Sequence, residues 1–76
     1  MNKKKQSLKE IVRKNISKLR KEQGLSQEQL GFKTDIHRAY IGFIERGVKS
    51  PNIDHLEKIA TALKVPATKL FTENEE

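Results

Sequence analysis

Cysteine is absent from this 76-residue chain. That absence excludes a disulfide scaffold, a thiolate zinc site and a cysteine nucleophile, and it suits a reducing compartment, so a cytoplasmic location is expected. No apolar run approaches the ~18 residues that a membrane span needs, and the opening MNKKKQ leads into no apolar core of a signal peptide. Neither export nor membrane insertion is expected. Two histidines without further ligands at metal spacing give no zinc site, and no cofactor or small-molecule ligand is expected. Length is limiting too. A domain this small encloses one core and buries roughly 60% of the surface its unfolded chain exposes. The apolar residues, 34% of the sequence, must therefore nearly all turn inward. Most enzymes, which need room for a ligand pocket, are excluded.

Acidic residues are scarce at the front of the chain. Residues 1–21 carry nine Lys or Arg against one Glu, 22–50 carry four against four, and 51–76 carry three against five, for a net charge of +6. Such polarity fits an electrostatic footprint for a polyanion, either nucleic acid or an anionic membrane surface, and equally a set of solvated lysine-rich helix faces.

What is present is helical periodicity. Leu8, Ile11, Val12, Ile16 and Leu19 form the stripe of an amphipathic first helix that ends at Gly24. In GLSQEQLG, Ser26 is the N-cap of a second helix, Gln29 its capping-box partner, and Leu25 with Leu30 a hydrophobic staple. Thr34 and Asp35 interrupt that helix, Ile36 plugs the turn, His37 caps a third, and the third runs from Arg38 through Ile41 and Ile44 to Gly47. Asn52 caps a fourth helix striped by Ile53, Leu56, Ile59, Ala60 and Leu63, which Val65-Pro66 ends. Pro66 opens a brief fifth helix over Leu70 and Phe71. The organisation is a basic arm (1–7), an all-α domain (8–71) and an acidic tail (72–76). No strand, repeat or low-complexity linker is predicted.

Two short helices across a tight turn, in a basic all-α domain of this size, describe a helix-turn-helix. With Gln27 as its first position, the buried positions fall on Leu30, Gly31, Ile36, Ile41 and Ile44, each apolar or small. From Val12 to Phe71 the motifs KLRKEQGLSQEQLG, HRAYIGFIERG, PNIDHLEKIATALKV and KLF resemble the phage Cro and repressor type of helix-turn-helix regulator, the xenobiotic response element family. In length and motifs the chain is most similar to restriction-modification controller proteins and small phage or plasmid repressors. The resemblance implies a compact five-helix, lambda-repressor-like DNA-binding domain. It also implies a homodimer on a two-fold operator, with the third helix in the major groove and no catalytic activity. The sequence departs from the pattern at Asp35, where glycine is usual, at Gly31, where alanine is usual and helix 2 should be slightly weakened, and at Ala39, Gly42 and Phe43.

The resemblance gives Gln27 two roles, bonding a phosphate and bracing the recognition helix. Arg38 opens the third helix, and its planar fork matches O6 and N7 of guanine. Ala39 can offer a methyl to a thymine methyl; Phe43 can do the same or cover core surface. Tyr40 is expected to bond phosphate while its ring lies against helix 2. Arg46, Lys49, Ser50 and Asn52 surround a loop from which the family reaches the DNA backbone. Glu45 stands in the last turn of the recognition helix, where the dipole disfavours an anion, so it requires a partner. The resemblance supplies Arg20 as that partner. His55 reads as a surface residue of helix 4. Lys3, Lys4 and Lys5 read either as a solvated tail or as an arm along the DNA backbone.

Ile53, Leu63, Val65, Leu70 and Phe71 carry more apolar surface than one short terminal helix hides, and they are the expected dimer interface. RNA polymerase becomes a further partner if the regulator activates; no segment identifies that contact. The alternative function is an antitoxin that binds a toxin protein and represses its own operon, a role that usually needs extra chain, whereas only five polar residues follow Phe71. An enzyme using His55 with Asp54 or Glu57 is disfavoured because these neighbours lie on a helix surface. A membrane-surface binder is disfavoured because the capped helices direct their apolar faces to a core.

Overall fold

Ser7 is the N-cap of the first helix: its Oγ accepts the Glu10 N–H at 3.1 Å, and α1 runs over Leu8–Glu22. The computed structural model describes residues 6–73, so Lys3, Lys4 and Lys5 and the last three residues of the acidic tail lie outside the described residues. Three further α-helices follow, α2 (Gln27–Thr34), α3 (Arg38–Glu45) and α4 (Ile53–Leu63). Among the described residues there is no strand, and no helix is long and apolar enough to cross a membrane.

The fifth helix of the sequence reading is not α-helical. Ala67–Phe71 is a five-residue 3-10 turn that follows Pro66. So short a segment closes on i→i+3 bonds such as Lys69 N–H to Pro66 O (2.9 Å), the geometry used for brief pieces of helix. The turn drives Leu70 into the core, where it is fully buried. The buried Asn15 of α1 holds it there, its Nδ2 donating to the carbonyls of Leu70 (2.8 Å) and Thr72 (2.9 Å).

Each α-helix is closed by a left-handed residue: Gly24, Asp35, Gly47 and Lys64. At α1, Gly24 N–H donates to Lys21 O (3.0 Å) and Leu25 N–H to Arg20 O (3.1 Å); at α4, Lys64 N–H donates to Thr61 O (3.1 Å) and Val65 N–H to Ala60 O (3.0 Å). These paired bonds satisfy carbonyls that a helix end leaves without intrahelical partners. Lys64 takes a conformation that glycine adopts more easily, because Val65 precedes Pro66 and is biased away from the helical region. Gln23 ties the two ends together, its Nε2 donating to Leu63 O at 2.7 Å.

One core joins all the elements: Val12 and Ile16 of α1, Leu30 of α2, Ile36 of the turn, Ile41 and Ile44 of α3, Leu56, Ile59, Ala60 and Leu63 of α4, and Leu70. Two residues of the expected dimer interface are therefore misassigned. Leu63 and Leu70 are fully buried within the chain's own core and offer nothing to a partner. Ile53 is 69% exposed and Phe71 37% exposed, while Val65 is half-buried against the core. Leu8, read as part of the α1 stripe, is also exposed, because it lies at the first residue of the helix, beyond the reach of the core.

Candidate nucleic-acid interface

The start of α2 is set locally. Ser26 Oγ accepts Gln29 N–H (3.0 Å) while Gln29 Oε1 accepts Ser26 N–H (2.8 Å), a reciprocal capping box. At its end, Thr34 Oγ1 donates to Leu30 O (2.8 Å) and accepts Ile36 N–H (3.3 Å), Asp35 adopts φ 60°, and Ile36 is buried as the plug. Gly31 is explained here. A Cβ at that position would lie 2.6 Å from the Ile36 carbonyl oxygen, so the close approach of the turn to α2 requires glycine, and the residue does more than weaken the helix. His37 then caps α3, its Nδ1 accepting Ala39 N–H at 3.0 Å, which sets this nitrogen as the unprotonated one.

A buried ion pair fixes α3 from behind. Arg20 Nε meets Glu45 Oε2 at 2.7 Å and Arg20 Nη2 meets Glu45 Oε1 at 2.9 Å, a two-pronged contact with both side chains buried. The hydrogen bond to Glu45 is the largest influence on the Arg20 guanidinium and raises its pKa above the ordinary arginine value, against the opposing effect of burial. Arg20 also donates through Nη1 to Leu25 O (2.8 Å), and Gln27 Nε2 donates to Glu45 Oε1 (3.0 Å). Gly42 leaves room beside that contact, since a Cβ there would stand 3.3 Å from Gln27 Oε1 and 3.2 Å from Arg46 Nη1. Arg13 closes the end of α3 by donating to Glu45 O at 3.1 Å.

What this leaves outward is a polar face. Arg38 and Ala39 are exposed at the first turn of α3, and Ala39, Phe43 and Arg46 recur at i, i+4, i+7 along one side. The Arg46 guanidinium lies over the Phe43 ring at 5.3 Å from its centroid, so Phe43 is half-buried beneath a cation. The Tyr40 ring meets the edge of His55 on α4 (5.0 Å between centroids), and its hydroxyl donates to Ser50 O at 3.4 Å. His55 is correspondingly half-buried, with Nδ1 shielded and without a hydrogen-bond partner, and is not the surface residue expected. Lys49 and Ser50 are exposed in the α3–α4 loop; Asn52 is exposed too, but its Oδ1 already caps α4 by accepting His55 N–H (2.7 Å). Among the described residues no three His, Asp or Glu side chains gather in a way that could hold a metal ion.

Two participants escaped the sequence reading. Arg13 had no visible reason to reach Glu45. Glu28, in the first turn of α2, lies 3.4 Å from Arg38 Nη1. Its place in the motif signalled helix-capping charge alone; the contact with Arg38 depends on the turn.

The pattern of residues that defines the helix-turn-helix family (HTH_3) matches residues 16–70. The chain belongs to that family. This helix-turn-helix chain is 51% identical over 41 residues to the control protein C.BamHI of Bacillus amyloliquefaciens; the match covers 54% of this chain and about half (51%) of that protein. It is 38% identical over 65 residues to the control protein C.SmaI of Serratia marcescens, covering 86% of this chain and 77% of the other. Its fold superposes with a TM-score of 0.80 and 35% identity on the restriction-modification controller protein C.AhdI from Aeromonas hydrophila, over 83% of this chain and 96% of that one.

Proposed function

We infer that the chain is a sequence-specific DNA-binding transcriptional regulator of the restriction-modification controller kind, working in the cytoplasm as a homodimer on a two-fold site, without catalytic chemistry. The observation that carries this reading is the outward face of α3, with Arg38, Ala39, Phe43 and Arg46 on a helix braced from behind by Arg20, Glu45 and Gln27. A rigid helix with arginines at its exposed start and end suits major-groove entry. Arg38 is assigned to base reading; Tyr40, Arg46, Lys49, Asn52 and the second amide hydrogen of Gln27 are assigned to the backbone. Ile53, Val65 and Phe71 supply the apolar part of the dimer contact.

The test is selection of preferred duplexes from a randomised pool, followed by binding of Arg38→Ala and Lys49→Ala across a salt series. The selected site should be near-palindromic with half-sites about 34 Å apart. Arg38→Ala should lose about 1 to 3 kcal/mol and relax preference at one base pair per half-site, while Lys49→Ala should weaken all sequences alike and lower the salt slope by about one. Recovery of no preferred sequence overturns the reading.

A further inference from the structure

We propose that Glu28 is a specificity-determining residue that positions Arg38 for guanine, an inference that rests on α3 being the base-reading helix. Glu28 and Arg38 are ten positions apart and meet only because the α2–α3 turn folds back, with Glu28 Oε2 3.4 Å from Arg38 Nη1. Their side chains remain 54% and 62% exposed, so the pair adds little to stability. Glu28 also places an anion beside the face that would meet phosphates, which by itself opposes DNA binding.

The geometry gives that anion a use. A free arginine at the start of α3 can satisfy itself on any phosphate in reach, which carries no sequence information. Glu28 engages a terminal nitrogen, Nη1, and leaves the edge formed by Nε and Nη2, two parallel donors of the kind that match O6 and N7 of guanine. A phosphate brought to that edge is repelled by the adjacent carboxylate, whereas the neutral O6 and N7 edge of guanine is not. Asp35 and His37 line the same surface cavity of about 470 Å³ as Glu28 and Arg38, which puts a second carboxylate on that cavity. Glu28 thus acts by making the wrong contact less favourable, a recognised route to discrimination.

The experiment uses Glu28→Gln, which keeps the side chain's shape and removes its charge. Affinity is measured for the duplex that the wild-type chain selects, for that duplex with the Arg38-dependent guanine replaced, and for random duplex, with thermal stability alongside. Binding to random duplex should tighten about 3- to 10-fold and the selected duplex less, so discrimination at that base pair falls by a similar factor. The melting temperature should fall by no more than about 5 °C. In an Arg38→Ala background the same substitution should leave discrimination unchanged. Equal tightening on all three duplexes, or an equal loss of discrimination without Arg38, overturns the role of Glu28 alone. Uniform loss of affinity in Arg38→Ala with base preference intact overturns base reading by Arg38, and the role of Glu28 with it.

Discussion

On the α3 face Arg38 is paired with Glu28 and Arg46 lies over Phe43, while behind it Gln27 and Arg20 are bonded to Glu45. Around the start of α4 and the C-terminal turn the surface is apolar and uncommitted. Ile53 projects into solvent, and Leu8, Pro51 and Phe71 rim a groove of about 170 Å³ whose floor includes Val12 and Leu56. The difference fits the two roles proposed above. Reading a duplex requires donors fixed in direction, which a polar face braced within one chain supplies. Self-association gains from burial, which has no direction, and would be completed only when a second surface covers the apolar end.

The strongest way to break this contrast is to remove the tether of the polar face. Glu45→Ala would leave the Arg20 guanidinium buried without its carboxylate and release Gln27, and should lower stability by about 3 to 5 kcal/mol in chemical denaturation. Arg20→Ala should do the same, with strong non-additivity in the double variant. Additive losses under about 0.5 kcal/mol each would mean that α3 is held by its apolar side alone.

The apolar end gives the next largest effect and should divide internally. Leu70→Ala opens a cavity in a fully buried position and should cost about 2 to 5 kcal/mol. Ile53→Ala should stay within about 0.5 kcal/mol for the protomer, while raising the dimer dissociation constant measured by sedimentation. If Ile53→Ala leaves self-association unchanged, this residue lies outside the interface.

Two smaller effects sharpen the account of the turn that carries the polar face. Helix propensity alone makes Gly31→Ala stabilising by roughly 1 kcal/mol. The 2.6 Å approach to the Ile36 carbonyl reverses the sign, and a net loss of about 1 to 2 kcal/mol is expected, because a backbone atom must move and Ile36 moves with it. A gain in melting temperature would show that the turn relaxes freely. Asp35→Gly should be the mildest change, stabilising by less than about 1 kcal/mol because the left-handed backbone at φ 60° is easier for glycine, although glycine's greater unfolded freedom offsets part of the gain.

Much of the site was legible because its signals are short. Ser26 with Gln29, His37 before Arg38 and Asn52 before Ile53 are caps whose bonds span two or three residues, and Gly24 and Gly47 mark helix ends that glycine favours. The need of Glu45 for a cation was also readable, since an anion in a last helical turn opposes the dipole; the family resemblance then named Arg20. Local rules miss what crosses elements. The Glu28–Arg38 pair, the Arg13 bond to the Glu45 carbonyl and the Tyr40–His55 contact join residues on different helices, and no spacing in the chain encodes them.

By itself, then, the order of residues determined the starts of the four α-helices, the helix-turn-helix and its outward arginines, because capping and amphipathic periodicity act within a few residues. Tertiary structure decided which apolar residues were used up. Leu63 and Leu70 read the same as Ile53 along the chain, yet the 3-10 turn, pinned by Asn15, brings Leu70 into the core that also holds Leu63 and leaves Ile53 outside. It also decided the value of Gly31, which depends on how closely the turn approaches α2. Burial is a property of the assembled surface, and only the assembled surface sets it.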